Sequence, residues 1–317
     1  MHAGEFPIGG ELVAKLVAAQ FPEWSGRPLT RVTSSGTVNV LFRLGEDLVV
    51  RLPRVDWSLG DIETEATWLP WLAPRLPVTI PEPVAAGRPG EGYPWPWSVY
   101  RWLPGTVPVQ DNLSDPLGLA ADLAVFVKAM RAVDQPAASR AASGVGGVVG
   151  SALPAEPPAA YRGGGHSLLD ETARTALDGL GGQLDPDTLA AAREAWAADL
   201  AVPDYDGPPV WSHADLMPGN LLVDPRGRLT GVIDFGTFGV GDPSCDLIVA
   251  WNLLTADARA VFRDALDVDE PTWRRGRGRS LAMALGALVY YYETNPPFAD
   301  NARYVIREVL CDLARSR

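Results

Sequence analysis

Two hydrophobic patterns divide the chain into two parts. In its first third, short apolar runs rich in β-branched and aromatic residues lie between turn residues, a pattern typical of strands. Two other stretches there repeat apolar residues at helical spacing. These patterns predict helices over Gly10–Gln20 and Asp61–Leu72, and strands over Val38–Phe42, Asp47–Leu52, Pro83–Gly87 and Trp97–Trp102.

Helical patterning dominates from Asp115 onward. Asp115 and Pro116 combine an N-cap residue with a proline in the first turn, and the following apolar residues lie on one helical face. Asp185 and Pro186 open a second helix in the same way, which ends near Leu200. The remaining pattern predicts a loop over Gln135–Gly165, short strands over Pro209–Ser212, Asn220–Asp224 and Leu229–Ile233, and helices with short breaks over Pro243–Arg315.

The order of these elements predicts an α+β, bilobal fold. A small N-terminal β-sheet lobe would cover residues 1–105, and a larger, mainly helical C-terminal lobe would cover residues 106–317. The turn sequence Leu103-Pro104-Gly105 marks the boundary. A cleft between two such lobes is a common place for a ligand site, so we expect one there.

Charge and cysteine content narrow the classes of function. The net charge of −12 and the pI of about 4.7 argue against nucleic acid and anionic membranes as partners, because both require a basic surface. The same charge is compatible with a cationic substrate, or simply with an acidic soluble protein. Cys245 and Cys311 lie in no metal-binding or disulfide pattern. We therefore expect reduced thiols in a cytoplasmic protein.

The densest polar pattern in the chain is H-x-D-x-x-x-x-N, from His213 through Asp215 to Asn220, followed by I-D-F-G around Asp234. Phosphoryl transfer explains each residue type. A carboxylate must accept the proton of the attacking hydroxyl, which suits Asp215. The alternative is that all three polar residues are ordinary loop residues, since Asp and Asn are common in turns.

Asn220 and Asp234 also fit a magnesium site. Mg²⁺ prefers hard oxygen ligands, and these residues supply an amide oxygen and a carboxylate. Two strands joined by the tight turn Pro225-Arg226-Gly227 would bring the two side chains together. His213 is expected to brace the loop rather than to react, and Asp242 and Asp246 to cap or brace the following segment.

Together with the segment Gly241–Leu247, these motifs resemble the aminoglycoside phosphotransferase family, to which macrolide phosphotransferases and choline and homoserine kinases are related. The resemblance extends from about Val32 to Tyr292. It implies the protein-kinase-like fold, with Asp215 as the catalytic aspartate and Asn220 and Asp234 as metal ligands. The cofactors it implies are Mg²⁺ and ATP or GTP as phosphoryl donor.

The resemblance also implies roles for residues in the N-terminal lobe. Arg51 stands where the family has a phosphate-binding strand lysine, and Glu65 matches its helix partner, with Glu63 as the alternative. Ser35 and Gly36 lie at the position of a phosphate-covering loop. Backbone groups of Arg101 and Leu103 would meet the edge of the nucleotide base.

Three functions follow from these residues. The leading one is phosphorylation of a hydroxyl on an aminoglycoside-like or other natural-product antibiotic, with a cationic acceptor favoured by the charge and by acidic residues such as Glu293 and Asp300. The second is a metabolic kinase acting on an amino alcohol or sugar. The third is a non-catalytic nucleotide-binding pseudokinase, suggested by arginine at position 51. We expect a monomer or a homodimer.

Overall fold

The computed structural model describes residues 5–33, 38–56, 59–135 and 156–315, which divide into two compact units. Among the described residues, the first unit comprises 5–33, 38–56, 59–105, 134–135, 156–157 and 230–236, and the second comprises 106–133, 158–229 and 237–315. The α+β class is confirmed, because an antiparallel sheet forms the first unit and most of the remainder is helical. The assignment of nucleotide binding to residues 1–105 stays a prediction.

The first unit is built on a five-stranded antiparallel sheet with the order β1-β2-β3-β5-β4. Its strands are β1 (Leu29–Arg31), β2 (Asn39–Leu44), β3 (Leu48–Pro53), β4 (Pro83–Gly87) and β5 (Trp97–Arg101). Its helices are α1 (Gly10–Gln20) and α2 (Gly60–Leu72). Buried residues of α1, β2, β3 and β5 share one hydrophobic core, as the alternating pattern of β2 requires.

Two glycines explain local features of this sheet. Gly45 has φ +65° in the turn between β2 and β3, a conformation that glycine adopts without steric cost. At Gly87 the indole of Trp97 lies against the backbone, and a Cβ atom would come within 2.0 Å of it. A side chain at position 87 would therefore displace the Trp97 ring from the core.

The second unit combines seven helices with short strands in its described part. The helices are α3 (Pro116–Arg131), α4 (Asp170–Gly179), α5 (Pro186–Leu200), α6 (Val249–Asn252), α7 (Ala256–Leu266), α8 (Glu270–Tyr291) and α9 (Pro296–Arg315). The short strands are β6 (Val210–Ser212), β7 (Leu221–Val223), β8 (Leu229–Val232, shared with the first unit) and β9 (Gly239–Gly241). Strand β6 pairs with β9 in antiparallel register.

Local capping sets the predicted helix starts in this unit. The Asp115 side chain accepts a hydrogen bond from Gly118 N, and Asp185 accepts one from Thr188 N, so α3 and α5 begin where the sequence indicates.

Among the described residues, no helix has both the length and the apolar character needed to cross a membrane.

Candidate active site

In the first unit, the candidate site is centred on Arg51 of β3. Its side chain is only 11% exposed. Nη1 donates to Glu65 Oε2 at 2.6 Å, and Nη2 donates to Asp234 Oδ1 at 3.2 Å. The Asn39 amide, oriented with its oxygen toward Arg51, accepts from Nε and Nη2 at 3.0 Å each. The predicted Arg51–Glu65 pair is therefore formed, and Arg51 also reaches Asp234 directly.

Glu65 is fully buried on α2. Its Oε2 accepts a second hydrogen bond from the hydroxyl of Tyr100, on β5. Burial lowers the pKa of Arg51, but the charges of Glu65 and Asp234 outweigh this effect and hold it well above its usual value. Burial, and then the Glu65 charge, raises the pKa of Tyr100, which keeps its phenol protonated as a donor. Both buried donors therefore bind the same oxygen of Glu65.

Asp61, one helical turn before Glu65, is a member of this cluster that sequence reasoning missed. Burial raises its pKa to about 6; Arg51 lowers it, and the charges of Glu65 and Asp234 raise it. A Cβ atom at Gly236 would lie 2.8 Å from Asp61 Oδ2, so a side chain at that position would require Asp61 to move. The four-residue spacing between Asp61 and Glu65, which places both on one helix face, was the available signal.

In the second unit, the candidate site is the loop from His213 to Asn220. The buried carboxylate of Asp246 accepts hydrogen bonds from His213 N at 3.1 Å and Ala214 N at 2.8 Å. Burial is the main cause that raises the Asp246 pKa. Ala214 has φ +64°, a left-handed conformation that costs energy for a residue with a side chain. Asp246 braces this loop, as expected.

Both carboxylate oxygens of Asp215 accept hydrogen bonds from neighbouring side chains. Asn220 Nδ2 donates to Asp215 Oδ2 at 3.0 Å and to its backbone oxygen at 2.9 Å. Arg162 Nη1 donates to Asp215 Oδ1 at 2.6 Å. His213 Nδ1 accepts from Asp215 N at 3.3 Å, consistent with a bracing role. The structure therefore brings Asp215 and Asn220 together and adds Arg162, which sequence reasoning missed.

Asp234, which the sequence assigned to the metal, lies in the first unit. Its side chain is 47% exposed, and only Oδ1 has a partner among the described residues, the guanidinium of Arg51. Asp234 has φ +64°, again a left-handed conformation. Such strained residues cluster at functional sites, so the conformation supports a functional role for Asp234.

Arg101 and Leu103, whose backbone groups are predicted to meet the nucleotide base, differ in their backbone hydrogen bonds. Arg101 N donates to Glu82 O at 3.0 Å, so this N–H already has a partner within the protein. The Leu103 backbone has no hydrogen bond to any described residue, which leaves its N–H available to a ligand. Ser35 and Gly36 lie outside the described residues.

Comparisons with known proteins agree on one family. The model of the phosphotransferase enzyme family matches residues 30–279. An aminoglycoside 3'-phosphotransferase of Streptomyces fradiae is 37% identical over 114 residues, which cover 34% of this chain and 37% of that protein. The chain thus aligns with little more than a third of the length of this curated relative.

Solved structures extend the similarity to nearly the whole chain. The GDP and kanamycin complex of the aminoglycoside phosphotransferase APH(2")-IIia matches with a TM-score of 0.71 at 18% identity, covering 95% of this chain and 98% of that one. The macrolide 2'-phosphotransferase MphH of Brachybacterium faecium matches with a TM-score of 0.56 at 23% identity, covering 94% and 98%. The chain therefore shares the fold of these phosphotransferases, as the motifs predict.

Proposed function

The chain belongs to the phosphotransferase enzyme family, and we propose that it transfers the γ-phosphoryl group of ATP or GTP to a hydroxyl of an aminoglycoside-like or other natural-product antibiotic. The observation that carries the proposal is the hydrogen-bonded pair of Asp215 and Asn220, on a loop braced by the buried Asp246. This pair supports catalysis over a purely nucleotide-binding role, because it preserves both a base and a metal ligand.

Asp215 would act as the base. Its carboxylate is 25% exposed, and each oxygen retains a lone pair beyond the bond that it already accepts. As the acceptor oxygen attacks the γ-phosphorus, Asp215 would orient the hydroxyl and take its proton. The two bonds to Asp215 would fix the carboxylate before the acceptor binds, which lowers the entropic cost of reaching a reactive geometry.

Magnesium fits the donor atoms that Asn220 and Asp234 offer. Asn220 gives its NH₂ group to Asp215, and its Oδ1 has no partner among the described residues. Asp234 likewise keeps Oδ2 without a described partner. Both are hard oxygen ligands of the kind that Mg²⁺ prefers. Bound Mg²⁺ would neutralise charge on the phosphates.

Nucleotide binding is proposed for the first unit. Arg51 would hold the α- and β-phosphates, with Glu65 and Asn39 fixing its side chain. Leu103 would contact the base through its available N–H, with Arg101 beside it. Structures of relatives in complex with GDP and with ADP support a nucleoside triphosphate as donor.

The proposed class of acceptor, a natural-product antibiotic, is supported by the solved structures of similar fold. Solved structures with similar folds are complexes with kanamycin and gentamicin, and the MphH structure is that of a macrolide 2'-phosphotransferase. We propose an amine-bearing acceptor because of the net charge of −12. Of the two acidic residues singled out, Asp300 already pairs with Arg303 at 3.0 Å, so its attraction for an amine is reduced.

A nucleotide-consumption screen tests this function. Purified protein would be incubated with Mg²⁺, ATP or GTP, and single acceptors drawn from aminoglycosides, macrolides and small amino alcohols. We expect acceptor-dependent release of nucleoside diphosphate with an antibiotic and none with the amino alcohols. Turnover confined to amino alcohols would instead identify a metabolic kinase.

A further inference from the structure

Arg162 contacts the proposed base, Asp215, but lies outside the motif from His213 to Asn220. Its Nη1 is 2.6 Å from Asp215 Oδ1, and its side chain is 31% exposed. Nε and Nη2 of Arg162 have no hydrogen-bond partner among the described residues. Arg162 therefore donates to Asp215 through Nη1, and its remaining donors, which have no described partner, add a positive charge beside the proposed base.

The backbone that carries Arg162 is fixed rather than loosely placed. The strap, as we call residues 158–165, runs alongside β9. Ala160 N donates to Val240 O at 3.1 Å, and Val240 N donates to Pro158 O at 2.8 Å. Tyr161 N donates to Thr237 O at 3.1 Å. These bonds set the register of the strap and hence the position of residue 162.

Two side chains, Arg279 of α8 and Cys245, also hold the backbone of Arg162. The Arg162 carbonyl accepts from Arg279 Nη1 at 2.7 Å and from Cys245 Sγ at 3.1 Å. Arg279 is 3% exposed and also pairs with the buried Asp242 at 3.2 Å. Because Asp242 compensates the buried charge of Arg279, this arginine can donate to the Arg162 carbonyl from within the core. The bond from Arg279 thereby fixes the backbone position from which the Arg162 side chain extends.

We propose that Arg162 is a catalytic arginine that binds the transferring phosphoryl group while Nη1 remains on Asp215. The planar fork of a guanidinium allows both contacts, because its donors point along different edges. Arginines that neutralise the transferring phosphoryl group are supplied in cis in some phosphotransfer enzymes. This inference rests on the proposed function and adds a residue to it.

In the step proposed, the acceptor oxygen forms a bond to the γ-phosphorus and gives its proton to Asp215. The bond between the γ-phosphorus and the β–γ bridging oxygen breaks, and the nucleoside diphosphate leaves with that oxygen. Arg162 neither gains nor loses a proton. Its remaining donors bind the phosphoryl oxygens, whose charge is spread in the transition state.

Hydrolysis of Mg-GTP and Mg-ATP, with water as acceptor, tests this role without a known substrate. Arg162→Gln removes the charge, and we expect kcat to fall at least ~10²-fold with the nucleotide KM within about threefold of wild type. Arg162→Lys keeps the charge but not the fork and should recover part of the loss. Arg174→Gln, at an exposed arginine paired with Asp170, is the control and should match wild type.

Binding of a transition-state analogue separates contact with the phosphoryl group from mere orientation of Asp215. Wild type should bind Mg-GDP or Mg-ADP with aluminium fluoride more tightly than Mg-nucleoside diphosphate alone. Arg162→Gln should lose most of that gain, about 10²-fold, with unchanged affinity for the diphosphate alone. Calorimetric titration measures both affinities, and circular dichroism with a thermal melt checks that each variant is folded.

The outcomes are distinct. Wild-type hydrolysis and analogue affinity in Arg162→Gln would overturn the inference, as would slow hydrolysis with full analogue affinity. If Arg162→Gln does not fold, Arg162→Lys is measured instead. Reduced analogue affinity with normal diphosphate affinity would support a contact between Arg162 and the phosphoryl group. A gain in affinity from aluminium fluoride equal to that of wild type would contradict it. An Asp215→Asn variant with wild-type hydrolysis would instead remove the proposed function itself.

Discussion

Arg51 Nη1 lies 2.6 Å from Glu65 Oε2, and these side chains are 11% and 1% exposed. A carboxylate this deeply buried depends on its cation, because transfer of an unpaired charge from water is costly. The pair joins β3 to α2 within the first unit, so the loss of one partner should destabilise the protein as well as alter the proposed phosphate site.

Removing the cation should destabilise the protein strongly. We expect Arg51→Gln to lower the free energy of unfolding by about 3 kcal/mol, because Glu65 would stay buried without its ion pair. Arg27→Gln is the matched control: Arg27 pairs with Asp47 at 2.7 Å, but the pair is well exposed and should contribute less than about 1 kcal/mol. Urea unfolding of both variants measures the difference, and equal losses would contradict a special role for the buried pair.

Tyr100 should influence the choice of nucleotide. Its buried ring directly precedes Arg101, which is proposed to lie beside the nucleotide base. A bulky residue at this position would crowd adenine in its usual pose. We expect GTP to be used at least as well as ATP, and Tyr100→Met to shift the preference toward ATP. Competitive titration of the two nucleotides measures the ratio, with Tyr100→Phe separating the bulk of the ring from its bond to Glu65. A wild-type ATP preference that Tyr100→Met leaves unchanged would rule out this role.

Asp61 should make stability fall as pH rises through the acidic range. Its folded pKa of about 6 lies above the ordinary carboxyl value of 3.8, so between these values the folded state keeps a proton that the unfolded state has lost. The ionised group is thus unfavourable in the fold above pH ~6. We expect Asp61→Asn to match wild type near pH 4 and to exceed it by about 1 kcal/mol near pH 7, after allowance for solvent screening. Unfolding measured without divalent ions at both values tests this; an advantage independent of pH would contradict it.

Local signals predicted much of the fold. The N-caps Asp115 and Asp185 act on amides three residues away, so the starts of α3 and α5 could be located from neighbouring residues alone. Strand β9 could not be located in this way. Two of its three residues, Gly239 and Gly241, are glycines, which are depleted in strands, and the segment pairs only because β6 supplies a distant partner.

The candidate site shows the same limit. The spacing from Asp215 to Asn220 is local, and the structure forms that hydrogen bond. Arg162 contacts Asp215 across 53 residues of sequence, from a stretch whose composition indicated only a loop. No periodicity or motif marks such a contact, because it depends on the pairing of the strap with β9.

A cationic acceptor should bind more weakly as salt increases. Carboxylates on an acidic surface attract an amine over a range that ionic strength shortens. For an aminoglycoside acceptor identified by the screen, we expect KM to rise steeply with salt while kcat stays nearly constant. A neutral macrolide, measured in parallel where it is also a substrate, is the control. A salt-independent KM for the amine-bearing acceptor would exclude this electrostatic contribution.

Replacement of Asp215 tests most directly whether this residue is the base of a phosphoryl transfer. Asp215→Asn keeps the size of the side chain and removes the carboxylate. Its turnover of Mg-nucleotide with the acceptor should fall at least ~10²-fold, because a general base contributes about that much, while nucleotide affinity measured by titration stays close to wild type. Turnover near the wild-type rate in a folded Asp215→Asn variant would show that Asp215 is not the base.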